Sequence, residues 1–341
     1  MATPPRLELT RAQILAFRRD AGALDARLAP GADALRRAAW VGHQDSMPRA
    51  ALLSIHARVA GTRPDTWEDP ALVQVWGPRF SAYVIAAEDR ALFTLARLPD
   101  DVRGRRVAQE TADRLEAFLA GRRMSYAEAG HALGHNPNAL RYAAPTGRVL
   151  IRWEGARRPT IWTVPAPEMD PGEARRGLAR RYLHALGPTT AASFARWAGI
   201  TPARALTTFN ALGPALLPVA TPLGDAWILA EDEPAFRSPA APAAPARLLP
   251  SGDAYWLLQG RDRALLVPDA ERQAQLWTPR VWPGAVLIRG EIAGTWRRDA
   301  ANLTIATWRP LAPAERADVE AEAALLPLPD IGGQIRVIWA D

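Results

Sequence analysis

The sequence predicts an α+β fold: tandem winged-helix units with a C-terminal small β-barrel or twisted sheet. Three observations point there. The order helix, helix, turn, helix, two-stranded hairpin occurs in segment 103–168 and again in 169–232. A Pro/Ala-rich stretch, 233–247, follows and reads as a linker. Residues 248–341 then change to short β-patterned runs with one helix.

Taken in order, residues 1–102 open with helices. Thr10 is placed to cap the first, whose apolar stripe is Ile14, Leu15 and Phe17. Pro30 and Gly31 break the chain before a second helix, 32–41, and Pro48 suits the start of a third, 49–59. A loop rich in Pro and acid leads to a strand at 80–85 and a helix at 88–98. In the next segment, helix 105–119 carries Val107, Ala108, Leu115, Phe118 and Leu119 on one face. Ser125 with Glu128 has capping-box spacing, and Asn136-Pro137 opens another helix through Ala144. Runs 147–153 and 160–164 make the hairpin. Segment 169–232 repeats this with helices 171–186, 189–197 and 201–212 and strands 216–220 and 226–230. Beyond the linker, strands are expected at 255–258, 264–267, 285–288, 291–296, 303–308 and 334–339, with a helix at 312–325.

Composition narrows the chemistry. The 341 residues include no Cys, which excludes disulfides, thiolate zinc sites and Cys-held clusters. All 42 basic residues are Arg and the net charge is +6, which favours a polyanionic partner. Without Lys there is no Schiff base and no P-loop cation. Gly-rich phosphate loops are absent too, so no cofactor is expected. Apolar runs of about 18 residues are missing, and the N-terminus lacks an apolar stretch after its first charge. A cytoplasmic, nucleoid-associated monomer that avoids membranes is therefore expected.

Two features could carry function. Arg doublets recur, and Arg157-Arg158 falls at the expected tip of a hairpin, where guanidinium forks would meet phosphates. Arg297-Arg298 is another such doublet. The plainer reading of any doublet is a solvated surface paired with nearby acids. The second feature is His43-Gln44-Asp45-Ser46, between two helical patterns. Asp45 could act as a base on water or stabilise positive charge, Gln44 could orient that water, and His43 could relay a proton. Alternatively, Asp45 or Ser46 simply caps the helix that follows. His131 and His135 are four apart, but Gly134 breaks their helix and no third ligand accompanies them, so no metal site is expected.

Five stretches are distinctive: Gly42-His43-Gln44-Asp45-Ser46-Met47-Pro48-Arg49-Ala50, Ala86-Ala87-Glu88-Asp89, Leu186-Gly187-Pro188 with Phe194-Ala195-Arg196-Trp197, Leu248-Leu249-Pro250 with Gly260-Arg261-Asp262-Arg263, and Gly290-Glu291-Ile292-Ala293-Gly294-Thr295-Trp296-Arg297. Together they resemble the bacterial winged-helix DNA glycosylases of the AlkZ type, within the broader winged-helix DNA-binding family. The resemblance implies three winged helices around a small barrel, with residues 1–102 as the first unit, and a basic concave surface for double-stranded DNA. It implies excision of alkylated or bulky purine adducts by a monofunctional glycosylase, with Arg49, Arg157, Arg158, Arg297 and Arg298 as DNA contacts. Such enzymes carry Gln-x-Gln or Gln-x-Asp. The ungapped match, anchored on Gly42 and Pro48-Arg49, puts Gln44 first and Ser46 second, with Asp45 between them. A shift of one residue gives His43-x-Asp45. The departure leaves a second expectation open, a non-catalytic DNA-binding protein.

Overall fold

The computed structural model describes residues 6–45, 47, 49–153, 159–258, 260–328 and 334–340. Two candidate groups, Ser46 and the doublet Arg157-Arg158, lie outside the described residues.

The N-terminal part comprises β1 (Leu7–Glu8), α1 (Arg11–Ala21), α2 (Ala32–Ala38), β2 (His43–Gln44), α3 (Ala50–His56), β3 (Leu72–Trp76), β4 (Ala82–Ala86) and α4 (Arg90–Leu95). Thr10 caps α1 in a full capping box: its hydroxyl accepts from the Gln13 amide, and the Gln13 side chain accepts from the Thr10 amide at 2.9 Å. Strand β3 replaces part of the expected loop. Its apolar residues flank a single buried polar one, Gln74, and no turn residue interrupts them. The next strand starts at Ala82 rather than at 80, because Arg79 and Phe80 sit in a tight turn with φ of 54° and 56°.

Next come α5 (Val102–Leu119), β5 (Met124–Ser125), α6 (Tyr126–Ala132), a 3-10 helix (Pro137–Thr146), β6 (Val149–Arg152) and β7 (Thr160–Thr163). Asp101 caps α5 by accepting from the Gly104 amide, so this helix begins three residues before the expected start. Its buried face is Ala108, Ala112, Leu115 and Leu119, whereas Val107 is exposed. Ser125 makes no capping hydrogen bond with its side chain, contrary to its box spacing; its backbone is already paired with Thr160.

The third group is α7 (Pro171–Leu186), α8 (Ala191–Ala198), α9 (Pro202–Leu212), β8 (Leu216–Thr221) and β9 (Gly224–Leu229). Each helix starts at a side-chain cap, Asp170, Thr190 and Thr201 respectively. The Pro/Ala-rich stretch begins as a short helix, α10 (Glu233–Arg237), whose Phe236 stacks on Phe17 at 3.9 Å.

The C-terminal part contains β10 (Ala246–Leu249), α11 (Arg263–Leu266), α12 (Ala270–Leu276), β11 (Gly284–Ile288), β12 (Glu291–Asp299), β13 (Asn302–Thr307), α13 (Pro313–Ala324) and β14 (Arg336–Ala340). The strands expected at 255–258 and 264–267 are not strands. The first run forms buried turns and the second is a helical turn. A short, fully buried apolar run has no periodicity to separate these outcomes.

Three sheets organise the chain, and each is open among the described residues. The first is three-stranded, ordered β1-β8-β9. The second is six-stranded, ordered β2-β4-β3-β6-β7-β5, and runs without a break across residue 102. The third is five-stranded, ordered β10-β11-β12-β13-β14. The barrel alternative is thereby corrected to a sheet: β10 and β14 are its two edges, and α13 packs beside β10 instead of a closing strand. The fold is α+β with open sheets. One hydrophobic core links the parts, joining Leu15, Tyr83, Phe93, Tyr182, Phe194 and Trp256.

Candidate active site

The candidate motif runs out of β2 into α3, at the edge of the six-stranded sheet. Successive side chains of an extended segment point to opposite sides. His43 and Asp45 accordingly share one side and are buried, 0% and 2% exposed, while Gln44 is half-buried.

Asp45 is held by its backbone amide on Ala82 O at 2.8 Å. Its Oδ1 accepts from the Ala51 amide at 3.0 Å and its Oδ2 from Gln74 Nε2 at 2.5 Å. The first bond caps α3, whose own N-cap residue, Arg49, offers no side-chain cap. Gln74 in turn accepts from the Trp153 amide at 2.6 Å. It sits at the seam of the sheet, where β3 meets β6 through the single pair Gln74 and Ile151. Burial pushes the Asp45 carboxyl up to about 6, against the pull of the Ala51 amide, the Arg49 charge and Gln74.

His43 faces inward. A carbonyl only accepts, so Nε2 donates to Ala38 O at 2.8 Å and Nδ1 is left bare. Burial, with the Arg58 charge nearby, pulls the imidazole down to about 4. At neutral pH it has a lone pair but no second proton to give. Arg58 is itself locked to Asp253 by two bonds of 2.7 and 2.8 Å, with both side chains buried. His56, at the end of α3, is also kept neutral: burial and the charges of Arg27 and Arg247 pull it down to about 3.

Gln44 is oriented by Arg79. Its Oε1 accepts from Arg79 Nη2 at 3.1 Å, and the same guanidinium reaches the Tyr83 hydroxyl at 3.3 Å and Trp197 O at 2.6 Å. Gly252 lies against Gln44; a Cβ there would sit 3.3 Å from the Gln44 Cβ, on a backbone with φ of 79°. Two non-glycine residues near the motif hold left-handed backbone, Arg49 at φ 66° and Arg79 at φ 54°. Such strain persists where surrounding contacts over-determine it. For Arg49 these include Trp67, whose ring centroid lies 3.3 Å from its guanidinium and 3.4 Å from that of Arg152. Two groups that close must occupy opposite faces of the ring.

Three of the five candidate DNA contacts converge. Arg49, Arg297 and Arg298 line a single cleft of about 320 Å³, with Met47, Ala50 and Trp282. Ala50 opens the helix that Asp45 caps, so the buried carboxylate stands directly behind the cleft wall. Arg297 bonds Val281 O at 3.1 Å. Among the described residues Arg298 is exposed and has no partner. Other cations of the Arg-rich stretch serve structure: Arg181 pairs with Asp89 at 2.6 Å and Arg175 with Asp100 at 3.0 Å.

Sequence reasoning did not single out Gln74, Arg79, Trp67, Gly252 or Asp253. Gln74 carried a usable signal, a lone amide inside an apolar strand run. Asp253 carried none, because its partner Arg58 is 195 residues away.

Among curated proteins, none matches this sequence. The solved structure of Streptomyces sahachiroi DNA glycosylase AlkZ shares the fold, with a TM-score of 0.79 over 98% of this chain and 100% of that one, at 19% identity. The AlkZ-like DNA glycosylase family matches residues 35–327, which include the motif, the cleft arginines and Asp253. The chain belongs to the AlkZ-like family of DNA glycosylases.

Proposed function

We propose that this protein is a monofunctional DNA glycosylase that hydrolyses the N-glycosidic bond of alkylated or bulky purine adducts in duplex DNA. The observation that carries the reading is Asp45: a buried carboxylate with a raised pKa, held only by neutral donors, behind a cleft lined by three arginines. Alkylation at a purine ring nitrogen makes the base cationic, so it leaves with the glycosidic electron pair and needs no acid. Water then bonds to C1′ and its proton passes to Asp45. Each Asp45 oxygen keeps a lone pair beyond its present bond. The same negative charge steadies the oxocarbenium-like sugar. Gln44, set by Arg79, positions the water. Ser46 and His43 complete the candidate set, His43 as a neutral acceptor. The absence of Lys agrees with simple hydrolysis, since no Schiff base is required.

In this reading segments 103–168 and 169–232 act as winged helices on duplex DNA. The unit 1–102 supplies the motif and the C-terminal part supplies Arg297 and Arg298. Arg49, Arg157 and Arg158 add phosphate contacts. The protein works as a monomer on the nucleoid in the cytoplasm. No described helix is long and apolar enough to cross a membrane.

One observation favours a rival, a non-catalytic DNA-binding protein: Asp45 already caps α3. The test is release of base from duplexes alkylated at purine N7 or N3 and from bulky-adduct duplexes, read as heat- or alkali-labile abasic sites. Release that is lost in Asp45→Asn and Gln44→Ala supports the glycosylase. Salt-sensitive binding without release supports the rival.

A further inference from the structure

Asp45 belongs to segment 1–102, yet the side chain that donates to it is oriented from the next segment. Gln74, on β3, is 3% exposed among Leu72, Val73, Val75 and Trp76. A buried amide is costly unless both of its ends find partners. Here the oxygen accepts from the Trp153 N–H at 2.6 Å, and the nitrogen donates to Asp45 Oδ2 at 2.5 Å. A backbone N–H only donates, so it selects the end of the amide that faces it. The Gln74 oxygen turns to Trp153, and the NH2 group is thereby turned to Asp45.

Trp153 follows β6 directly, one residue beyond the pair Arg152 and Thr160 of the β6–β7 hairpin. The rest of this hairpin root meets the other supports of the motif. Trp153 O accepts from Arg49 Nη1 at 3.4 Å, and the Arg152 guanidinium lies 3.4 Å from the Trp67 ring centroid. Ile151 pairs with Gln74 itself, where β6 meets β3. Packing does not call for an amide at this point. Leucine would fill the same place in an apolar strand with no polar ends to satisfy.

We propose that Gln74 is a positioning residue for Asp45, oriented by the Trp153 N–H, so that the hairpin of segment 103–168 completes the site carried by segment 1–102. With Oδ1 on the Ala51 amide, the donor on Oδ2 fixes the rotation of the carboxylate. It also favours the ionised form, as the nearby Arg49 charge does. The consequence for base release rests on the function proposed above; the positioning itself is read without DNA.

The experiment is a carbon-13 NMR titration of the aspartate carboxyls in the full-length protein, with the Asp45 signal assigned by its loss in Asp45→Asn. Gln74→Leu should move the Asp45 midpoint to higher pH. Trp153→Pro deletes the backbone donor and should move it the same way, whereas Trp153→Ala keeps the N–H and should leave it in place. In Gln74→Leu, adding Trp153→Pro should change nothing further, because both act through one contact. Should Trp153→Pro not fold, the Trp153 amide proton decides: its shift should follow the Asp45 midpoint in wild type and lose that dependence in Gln74→Leu. Base release at pH 8 should fall about tenfold in Gln74→Leu with DNA affinity retained. An Asp45 midpoint unmoved in Gln74→Leu, or a Trp153→Pro shift that persists in that background, overturns the proposal. The expected shifts without any base release support the positioning and contradict the glycosylase reading alone.

Discussion

Two buried aspartates, Asp45 within the motif and Asp253 on Arg58, differ in one respect. Asp253 faces a guanidinium, whereas Asp45 faces an amide and a helix start. Burial alone would raise the Asp253 carboxyl, but the two-pronged Arg58 overrides it and holds the group below the usual carboxylate range. At Asp45 only neutral donors and the neighbouring Arg49 charge oppose burial, and the carboxyl rises to about 6. The first arrangement builds an inert anchor. The second leaves a carboxylate near the operating range of a general base. Two buried carboxylates are thus shifted in opposite directions because their donors differ in charge.

The largest way to break this comparison is to remove the anchor's partner. Arg58→Met leaves Asp253 buried without its cationic partner, with the Tyr255 amide still donating at 2.9 Å. The expected loss is about 3–5 kcal/mol, measured by urea unfolding. Next comes Trp67→Leu, which removes the platform between Arg49 and Arg152 and costs about 2–3 kcal/mol. It also frees the Arg49 charge that restrains Asp45, so the acid limb of base release should move to higher pH.

A smaller effect separates the aspartates by pH. The Asp45 pKa is raised from 3.8 to about 6, so the stability it confers is present below 3.8 and lost as pH rises through 6. Above that, its charged form costs on the order of 1–3 kcal/mol. Asp45→Asn should therefore raise the urea midpoint at pH 8, and the gain should vanish near pH 4. Asp253→Asn should do the opposite at pH 8, because its depressed pKa contributes stability that is lost only as pH falls. In wild type, His43 and His56 dominate the acid side. Their pKa values are depressed to about 4 and 3, so their stability is present above 6.5 and lost as pH falls through those values. The smallest effect is at the cleft rim. Arg298→Gln should lower the salt slope of DNA binding by about 0.9 if it neutralises one phosphate, with little change in stability.

The sequence disclosed what is local. Caps at Thr10 and Asn136 marked helix starts, and the helix and hairpin order of the two segments followed from turn residues. Gln44 and Asp45 were legible as polar residues ahead of Pro48, whereas Arg49 came from the family resemblance. What it did not disclose depends on distant pairing. Gln74 meets Asp45 across 29 residues and turns a simple cap into a carboxylate with a donor on each oxygen. The Tyr255 run reads as a strand, yet its four residues are buried in a turn and irregular chain, where tertiary packing outweighs β propensity.

Asp45, and not Asp253, is the carboxylate we propose to react. The most direct measurement is the rate of base release from an N7-alkylated duplex between pH 5 and 8, for wild type and Asp45→Asn, beside DNA affinity for both. The wild-type rate is expected to climb through a limb near pH 6 and then level. In Asp45→Asn a loss of about 10²–10⁴-fold is expected at every pH, with DNA affinity retained. Undiminished release by Asp45→Asn, with the same limb, would contradict this role for Asp45.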